Sequence, residues 1–316
     1  MPMDAERLPA RERPRLFQKP MLKALIKRFV PKNLVAHAAA IAMRRQKRRI
    51  ARLPILTEGL CRDILVSRLG LRNGDTVIVH SSIDRLNLGF PFYRILSLLQ
   101  EIVGKEGTIL FPTYPKLASY EFLRTGGVFD VRKTPSYTGI LTEFARRQRG
   151  AIRSLCPAKS VCAIGPRAAG LTATHQDSPY PYDHGSPYYK IMEFNGKIIG
   201  IGVGTRNLSF VHCVDDYLKD DFPVRPYHEQ LFPARCVNYA GEEVIVPTYA
   251  HDMRKMNHDI PRYMKKHIST AASEDIVVDG MNFFRADSVP LFEEMLDLAR
   301  KGITMYPAES YREHET

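Results

Sequence analysis

The stretch SFVHCVDDYL sets one histidine, His212, three and four positions ahead of two aspartates, Asp215 and Asp216. On a helix, residues three and four apart face one another, so either carboxylate can accept a hydrogen bond from one imidazole nitrogen. The other nitrogen then keeps its lone pair aimed, as a general base requires. Two plainer readings stand beside that one. Projected as a helix, Phe210, Val211, Val214, Tyr217 and Leu218 form an apolar stripe. His212 falls almost opposite, facing water or a cleft, and a solvated His–Asp pair is the bland outcome. A metal site needs a second ligand at helical spacing. No HExxH or cysteine pair occurs, although His251 and His258 stand seven apart, and no metal is expected.

Other stretches carry candidate chemistry. His80, Ser81 and Ser82 end the apolar run VIVHSS, where hydroxyls and backbone amides can hold a phosphate or simply cap a turn. Arg153 and Ser154 open the polar stretch RSLCPAKS; its Cys156 is either a nucleophile or a packed thiol, with no histidine close in sequence. Asp183 and His184 lie in SPYPYDHGSPYY, a loop able to grip a polyol or amine, or to pack. The glycines of GIGVGTRN do not make GxGxxG, and GxxxxGK[ST] is absent, so no dinucleotide or P-loop site is expected.

The elements that must position these residues alternate in type. Residues 57–71 have helical apolar spacing, opened by Thr57 and closed near Gly70. DTVIVH, GTILFP, SVCAIG and GKIIGIGVG read as buried strands. FYRILSLLQEIVG, TGILTEFARRQRG and SVPLFEEMLDLARKGI read as helices, and a hairpin turns at Ala240-Gly241. The expected fold is α/β: a mixed, largely parallel central sheet with helices on both faces, plus a basic helical N-terminal arm. Ligands in such folds sit where strand ends open into loops, which favours residues 80–82, 112–114 and 202–212.

Charge separates the arm from the body. The 316 residues carry a net charge of +12, but residues 1–55 hold 15 Lys and Arg against 3 Asp and Glu, and residues 56–316 hold 31 of each sign. The domain division is therefore 1–55 and 56–316. Within the arm, Leu22, Leu25, Ile26 and Phe29 share one helical face, Pro31 breaks the helix and Asn33 can cap the next. Residues 44–49 add five charges, and 19–52 as a whole suit an anionic membrane surface. Packing on its own domain or on a second subunit is the alternative, and nucleic acid the remoter one. The arm's apolar run is far shorter than the ~20 residues that span a bilayer. No signal peptide is evident and five cysteines form no paired pattern, so a cytoplasmic location, peripheral to a membrane if the arm binds lipid, is expected.

Taken in order, GDTVIVHSSI, VGKEGTILFPTY, FDVRKTPSYTGILTEF, RSLCPAKSVCAIGPRA, HGSPYYKIMEFNGKIIGIGVG and SFVHCVDDYL resemble the aminoglycoside 3-N-acetyltransferases, over about residues 57–220. The resemblance implies acetyl-CoA as co-substrate and direct acyl transfer to an amine. It matches His212 to the family's histidine in T/S-x-x-H-x-x-E, with Ser209 at the Thr/Ser position and Asp215 at the Glu position, one methylene shorter. His80, Ser81, Ser82, Arg153 and Ser154 fall in segments the family uses around the coenzyme. The family's R-S-x-H-P is RSLCP here, with Cys156 for the histidine, and its loop acid is His184 with Asp183 beside it. These substitutions, with Asp216, point to an altered acceptor side. The expectation is an N-acetyltransferase for an amino sugar or related polar amine, in surface-glycan synthesis. The alternatives are a catalytically altered body whose arm binds membrane or nucleic acid, and an acyltransferase using another donor.

Overall fold

Strands that are apolar at nearly every position must be covered on both faces, and three of them make the centre of this molecule. The computed structural model describes residues 32–307 apart from 117 and 257. Its strands, in chain order, are β1 (Thr76–Ser81), β2 (Thr108–Pro112), β3 (Phe129–Asp130), β4 (Ile152–Arg153), β5 (Val161–Ile164), β6 (Lys197–Ile201), β7 (Tyr227–Val237), β8 (Glu243–His251), β9 (Ser273–Val278) and β10 (Met281–Asp287). Seven form one sheet in the order β4-β5-β2-β1-β6-β10-β9, and β3-β7-β8 form a second.

The large sheet is mixed, as expected, but parallel pairing is confined to β2, β1 and β6. The flanking pairs β5–β2, β4–β5, β10–β6 and β9–β10 are antiparallel. The sequence alternation overstates the parallel share because the β9–β10 hairpin is added after the last crossover. Its turn is Asp279-Gly280, with φ of 50° and 76°, the left-handed pair that closes a two-residue hairpin.

Alternation along the strands divides the core in two. Ile78, Leu110, Ile198 and Phe284 face the helices His212–Leu218 and Ser288–Arg300; Val77, Val79, Ile109 and Ile199 face Glu58–Asp63, Arg94–Val103 and Ile140–Arg146. The helix at 58 begins as predicted, with the Thr57 hydroxyl accepting from Leu60 N at 3.2 Å. A glycine is required where β1 and β6 end together. Gly202 has φ +73°, and a Cβ there would lie 2.4 Å from the Ser82 carbonyl oxygen. That close approach holds the segment 80–82 against the segment 202–204.

The chain divides into two units, Met1–Arg49 and Ile50–Thr316. A helix occupies Lys32–Ile50, all but its last residue in the first unit, and its last turn carries Lys47, Arg48 and Arg49. Asn33 lies inside this helix rather than at its cap, and the amphipathic segment expected over 21–30 falls outside the described residues. Among the described residues, no helix is long and apolar enough to cross a membrane.

Candidate functional site

The helix His212–Leu218 follows two 3-10 turns, Thr205–Asn207 and Ser209–Val211, beyond the end of β6. Its two turns are buried nearly all round: His212 is 5% exposed, Asp215 3% and Asp216 0%, whereas Tyr217 is 45% exposed. The sequence projection is therefore corrected. It sent Tyr217 to the core and His212 to an open face. The helix starts only at His212, and its polar face is covered by Tyr227 of β7, His251 at the end of β8, His258 and Tyr306. A buried polar face is tolerable only when its groups are paired; His212 Nδ1, Asp215 Oδ2 and both Asp216 oxygens are, whereas Asp215 Oδ1 has no partner among the described residues.

His212 Nδ1 lies 2.9 Å from Asp215 Oδ2. The same carboxylate oxygen accepts from the Tyr306 hydroxyl at 2.6 Å. With Nδ1 committed, Nε2 is the nitrogen left for proton transfer. Around the ring stand Tyr182 (centroids 5.2 Å apart), His251 (4.9 Å) and His258 (5.6 Å). Burial holds the His251 imidazole well below its usual range and His258 at about 4, so neither adds positive charge at neutral pH. His251 also stacks on Tyr227 at 4.5 Å.

Ser209, one turn before His212, accepts a hydrogen bond from the Tyr114 hydroxyl at 3.1 Å. Tyr114 also meets the hydroxyls of Tyr188 at 2.6 Å and Tyr182 at 3.3 Å. The Lys159 ammonium sits 4.8 Å above the Tyr114 ring. It comes from the turn before β5 that also carries Cys156. The Cys156 thiol is pushed up to about 11 by burial and accepts a weak hydrogen bond from Lys159 N at 3.4 Å. That environment favours a packed thiol over a nucleophile.

The remaining sequence candidates take varied places. Asp216 has both oxygens engaged, by Tyr182 N at 2.7 Å and the Tyr227 hydroxyl at 2.7 Å, and so pins the 180–183 loop and β7 to the helix. Asp183 accepts from the Ser178 hydroxyl and from His184 N, each at 2.7 Å, and pairs with Lys219 at 3.1 Å. His184 itself points outward, its side chain 74% exposed. Arg153 and Ser154, expected near the coenzyme, make contacts within the fold. The buried Arg153 guanidinium donates Nε to Thr113 Oγ1 at 3.1 Å and Ser160 Oγ at 3.0 Å, and its Nη atoms bond the carbonyls of Thr134 and Thr113. Ser154 Oγ bonds His175 Nδ1 at 2.7 Å. Arg153 ties β4 to the end of β2 and to Ser160 just before β5, and Ser154 ties the end of β4 to β5 and to residue 175. At the end of β1, His80 Nε2 and Ser81 Oγ are buried without a hydrogen-bond partner among the described residues, and Ser82 Oγ bonds Asp84. No group of three or more His, Cys, Asp or Glu among the described residues is placed to hold a metal ion.

The aminoglycoside 3-N-acetyltransferase family model matches residues 78–283, which include β1, β6 and the His212 helix. The chain belongs to the aminoglycoside 3-N-acetyltransferase family. Among curated relatives of this family, aminoglycoside N(3)-acetyltransferase VII of Streptomyces paromomycinus is 30% identical over 176 residues, 50% of this chain and 59% of that protein. Aminoglycoside N(3)-acetyltransferase IX of Micromonospora chalcea is 28% identical over 161 residues, 46% and 56% of the two chains. The chain thus spans under six-tenths of the length of these relatives. Solved members of the family share the fold. AAC(3)-Xa superposes with a TM-score of 0.66 at 20% identity, over 84% of this chain and 99% of that one. AAC-VIa bound to sisomicin gives 0.65 at 23% identity (79% and 100%), and the AAC-IIIb binary complex with CoASH 0.62 at 19% (81% and 100%).

Sequence reasoning favoured 112–114, which holds Tyr114, for its place at a strand end, noted His251 and His258 only for their spacing, and missed three side chains of the His212 pocket: Tyr182, Lys159 and Tyr306. Nothing local marks them, because they arrive from segments far apart in the chain. A usable signal was the tyrosine-rich 180–189 stretch, whose hydroxyls need partners once buried.

Proposed function

We propose that the chain is an acetyl-CoA-dependent N-acetyltransferase acting on an amino sugar or related polar amine, with His212 as general base. The observation that carries this reading is the buried pairing of His212 Nδ1 with Asp215 Oδ2 at 2.9 Å. Relatives named aminoglycoside N(3)-acetyltransferases and structures holding sisomicin or CoASH support it.

Acetyl-CoA supplies the acetyl group as a thioester, whose C–S bond breaks as the N–C bond to the acceptor forms. A protonated amine cannot attack, so His212 Nε2 takes the proton that the nitrogen loses, and returns it to the departing thiolate. Asp215 holds the ring in the tautomer with Nδ1–H and stabilises the imidazolium; a base so placed contributes about 10²–10⁴ in rate. The Ser209 hydroxyl, oriented by Tyr114, supports the acyl oxygen as charge develops on it. His80, Ser81 and Ser82 line the donor end. Two buried polar atoms there lack partners, and groups left so are satisfied when a ligand with donors and acceptors binds.

The test is thiol release from acetyl-CoA across a panel of amines, amino sugars, nucleotide-linked amino sugars and aminoglycosides. Turnover of an amino sugar that depends on His212 is the expected result. Thiol release that His212→Ala leaves near normal would refute the base assignment.

The basic arm extends this reading to an acceptor made at a membrane, as in surface-glycan synthesis, by a cytoplasmic protein that touches anionic lipid through residues 19–52. Its support is the concentration of the whole net charge of +12 in residues 1–55. Removing residues 1–50 should abolish partition onto phosphatidylserine vesicles; equal partition of the shortened chain would overturn it.

A further inference from the structure

We infer that Lys159 selects an acceptor bearing an anionic group, a phosphate or carboxylate carried on the same molecule as the reacting amine. This rests on the acetyl-transfer reading of the pocket and names the kind of acceptor it takes. The first observation is geometric. Lys159 projects Nζ to 4.8 Å over the Tyr114 ring, and the Tyr114 hydroxyl meets Tyr182 and Ser209, the two residues beside His212. The ammonium is also within electrostatic reach of His251, whose ring lies 4.9 Å from that of His212.

The second observation is that no carboxylate is paired with this ammonium among the described residues. Five of the six oxygens on Asp215, Asp216 and Asp183 are engaged, and Asp215 Oδ1 has no partner among the described residues. Asp215 is held by His212 and Tyr306. Asp216 is held by Tyr182 and Tyr227, and Asp183 by Ser178, His184 and Lys219. Burial draws Lys159 down to about 8, opposed by Cys156 and Asp216, the mark of a cation paying for desolvation without a counter-ion. A ligand anion would repay that cost.

The two kinds of acceptor are then separated by charge. An aminoglycoside is a polycation and needs uncommitted carboxylates close to the reacting amine. Here it would meet an ammonium, while the opening beside Asp215 is lined by Lys219 and Arg225 together with a single further acid, Asp220. A phosphorylated or carboxylated amino sugar would place its anion on Lys159 and its amine toward His212. The coenzyme's own phosphates do not serve, because they lie a full pantetheine arm away from the thioester.

Three acceptors of one size decide the matter: glucosamine, glucosamine 6-phosphate and muramic acid, with sisomicin as the polycation. For the wild type, kcat/KM for at least one of the anionic pair should exceed that for glucosamine by about ten- to a hundredfold, the worth of one charge-assisted contact, with sisomicin poorest. Lys159→Met should collapse that ratio, and Lys159→Arg should keep most of it, which guards against a variant that merely folds poorly. An unchanged ratio in Lys159→Met overturns the inference. So does a wild type that prefers sisomicin, or a Lys159→Met variant whose KM rises for acetyl-CoA equally with every acceptor. Calorimetric binding of the same four compounds separates this inference from the reading beneath it. Lys159-dependent binding of the anionic pair without turnover upholds the anion site and removes the acetyl-transfer reading. Equal binding of all four by wild type and Lys159→Met removes the anion site.

Discussion

Tyr306 donates its hydroxyl to Asp215 Oδ2 at 2.6 Å, the same oxygen that faces His212 Nδ1. The two residues lie 91 positions apart. The tyrosine follows the helix Ser288–Arg300, whereas the carboxylate sits in the middle of the fold. Their contact fixes the carboxylate beside the imidazole, with the hydroxyl 3.4 Å from His212 Nδ1, so the orientation of the base depends on a residue outside its own helix.

Removing the base itself is the sharpest test. His212→Ala should lower kcat about 10²–10⁴-fold, while a thermal shift induced by coenzyme A persists. Asp215→Asn should fall between that variant and the wild type, because the ring keeps a neighbour but loses the charge that stabilises the imidazolium. Steady-state kinetics with the preferred acceptor, run beside the thermal shift, gives both readouts.

Tyr306→Phe removes one hydroxyl and leaves His212 and Asp215 intact. It should cost about 1–2 kcal/mol of stability, as one buried hydrogen bond to a charged group does. A loss in kcat of roughly three- to tenfold should accompany it, since the carboxylate then loses the hold of that hydroxyl. Urea unfolding and kinetics on the same preparation measure the two.

Four buried histidines make stability depend on pH in a known direction. Burial holds His80 at about 3, His175 and His258 at about 4 each, and His251 well below the ordinary 6.5. The unfolded chain takes up protons near 6.5 that the folded one refuses. Stability from these groups is therefore complete above about pH 6.5 and declines as pH falls toward 4. The urea midpoint should drop between pH 7 and pH 5, and His258→Asn should make that slope shallower.

Arg153 is a structural cation in this fold. Arg153→Met strips partners from Thr113, Ser160 and the Thr134 carbonyl at once. Among the described residues, Thr113 and Ser160 then keep only each other and the Thr134 carbonyl loses this donor, so the loss should be about 1–3 kcal/mol. Chemical denaturation checks it.

The sequence reveals most where structure is local. β1, β2 and β6 are legible because a strand covered on both faces is apolar throughout, and the Thr57 cap because its signal is three residues long. The β9–β10 hairpin was overlooked although Asp279-Gly280 announces it, and β3 and β4 are two residues each, too short to leave a pattern. In the site, His212 and Asp215 are visible together because one helical turn joins them. Their burial was not visible. The amphipathic rule assumes that polar faces meet water, and here Tyr227, His251, His258 and Tyr306 cover that face instead. Lys159 passed unnoticed because its surroundings exist only after β2 and β5 pair.

The pocket gathers residues 114, 159, 182, 212, 251, 258 and 306, and neighbours so remote in the chain come together late in folding. Refolding followed by circular dichroism should then run ahead of refolding followed by turnover. During that delay the sheet has returned, but Tyr306 has yet to reach Asp215, and the imidazole still swings free of its brace.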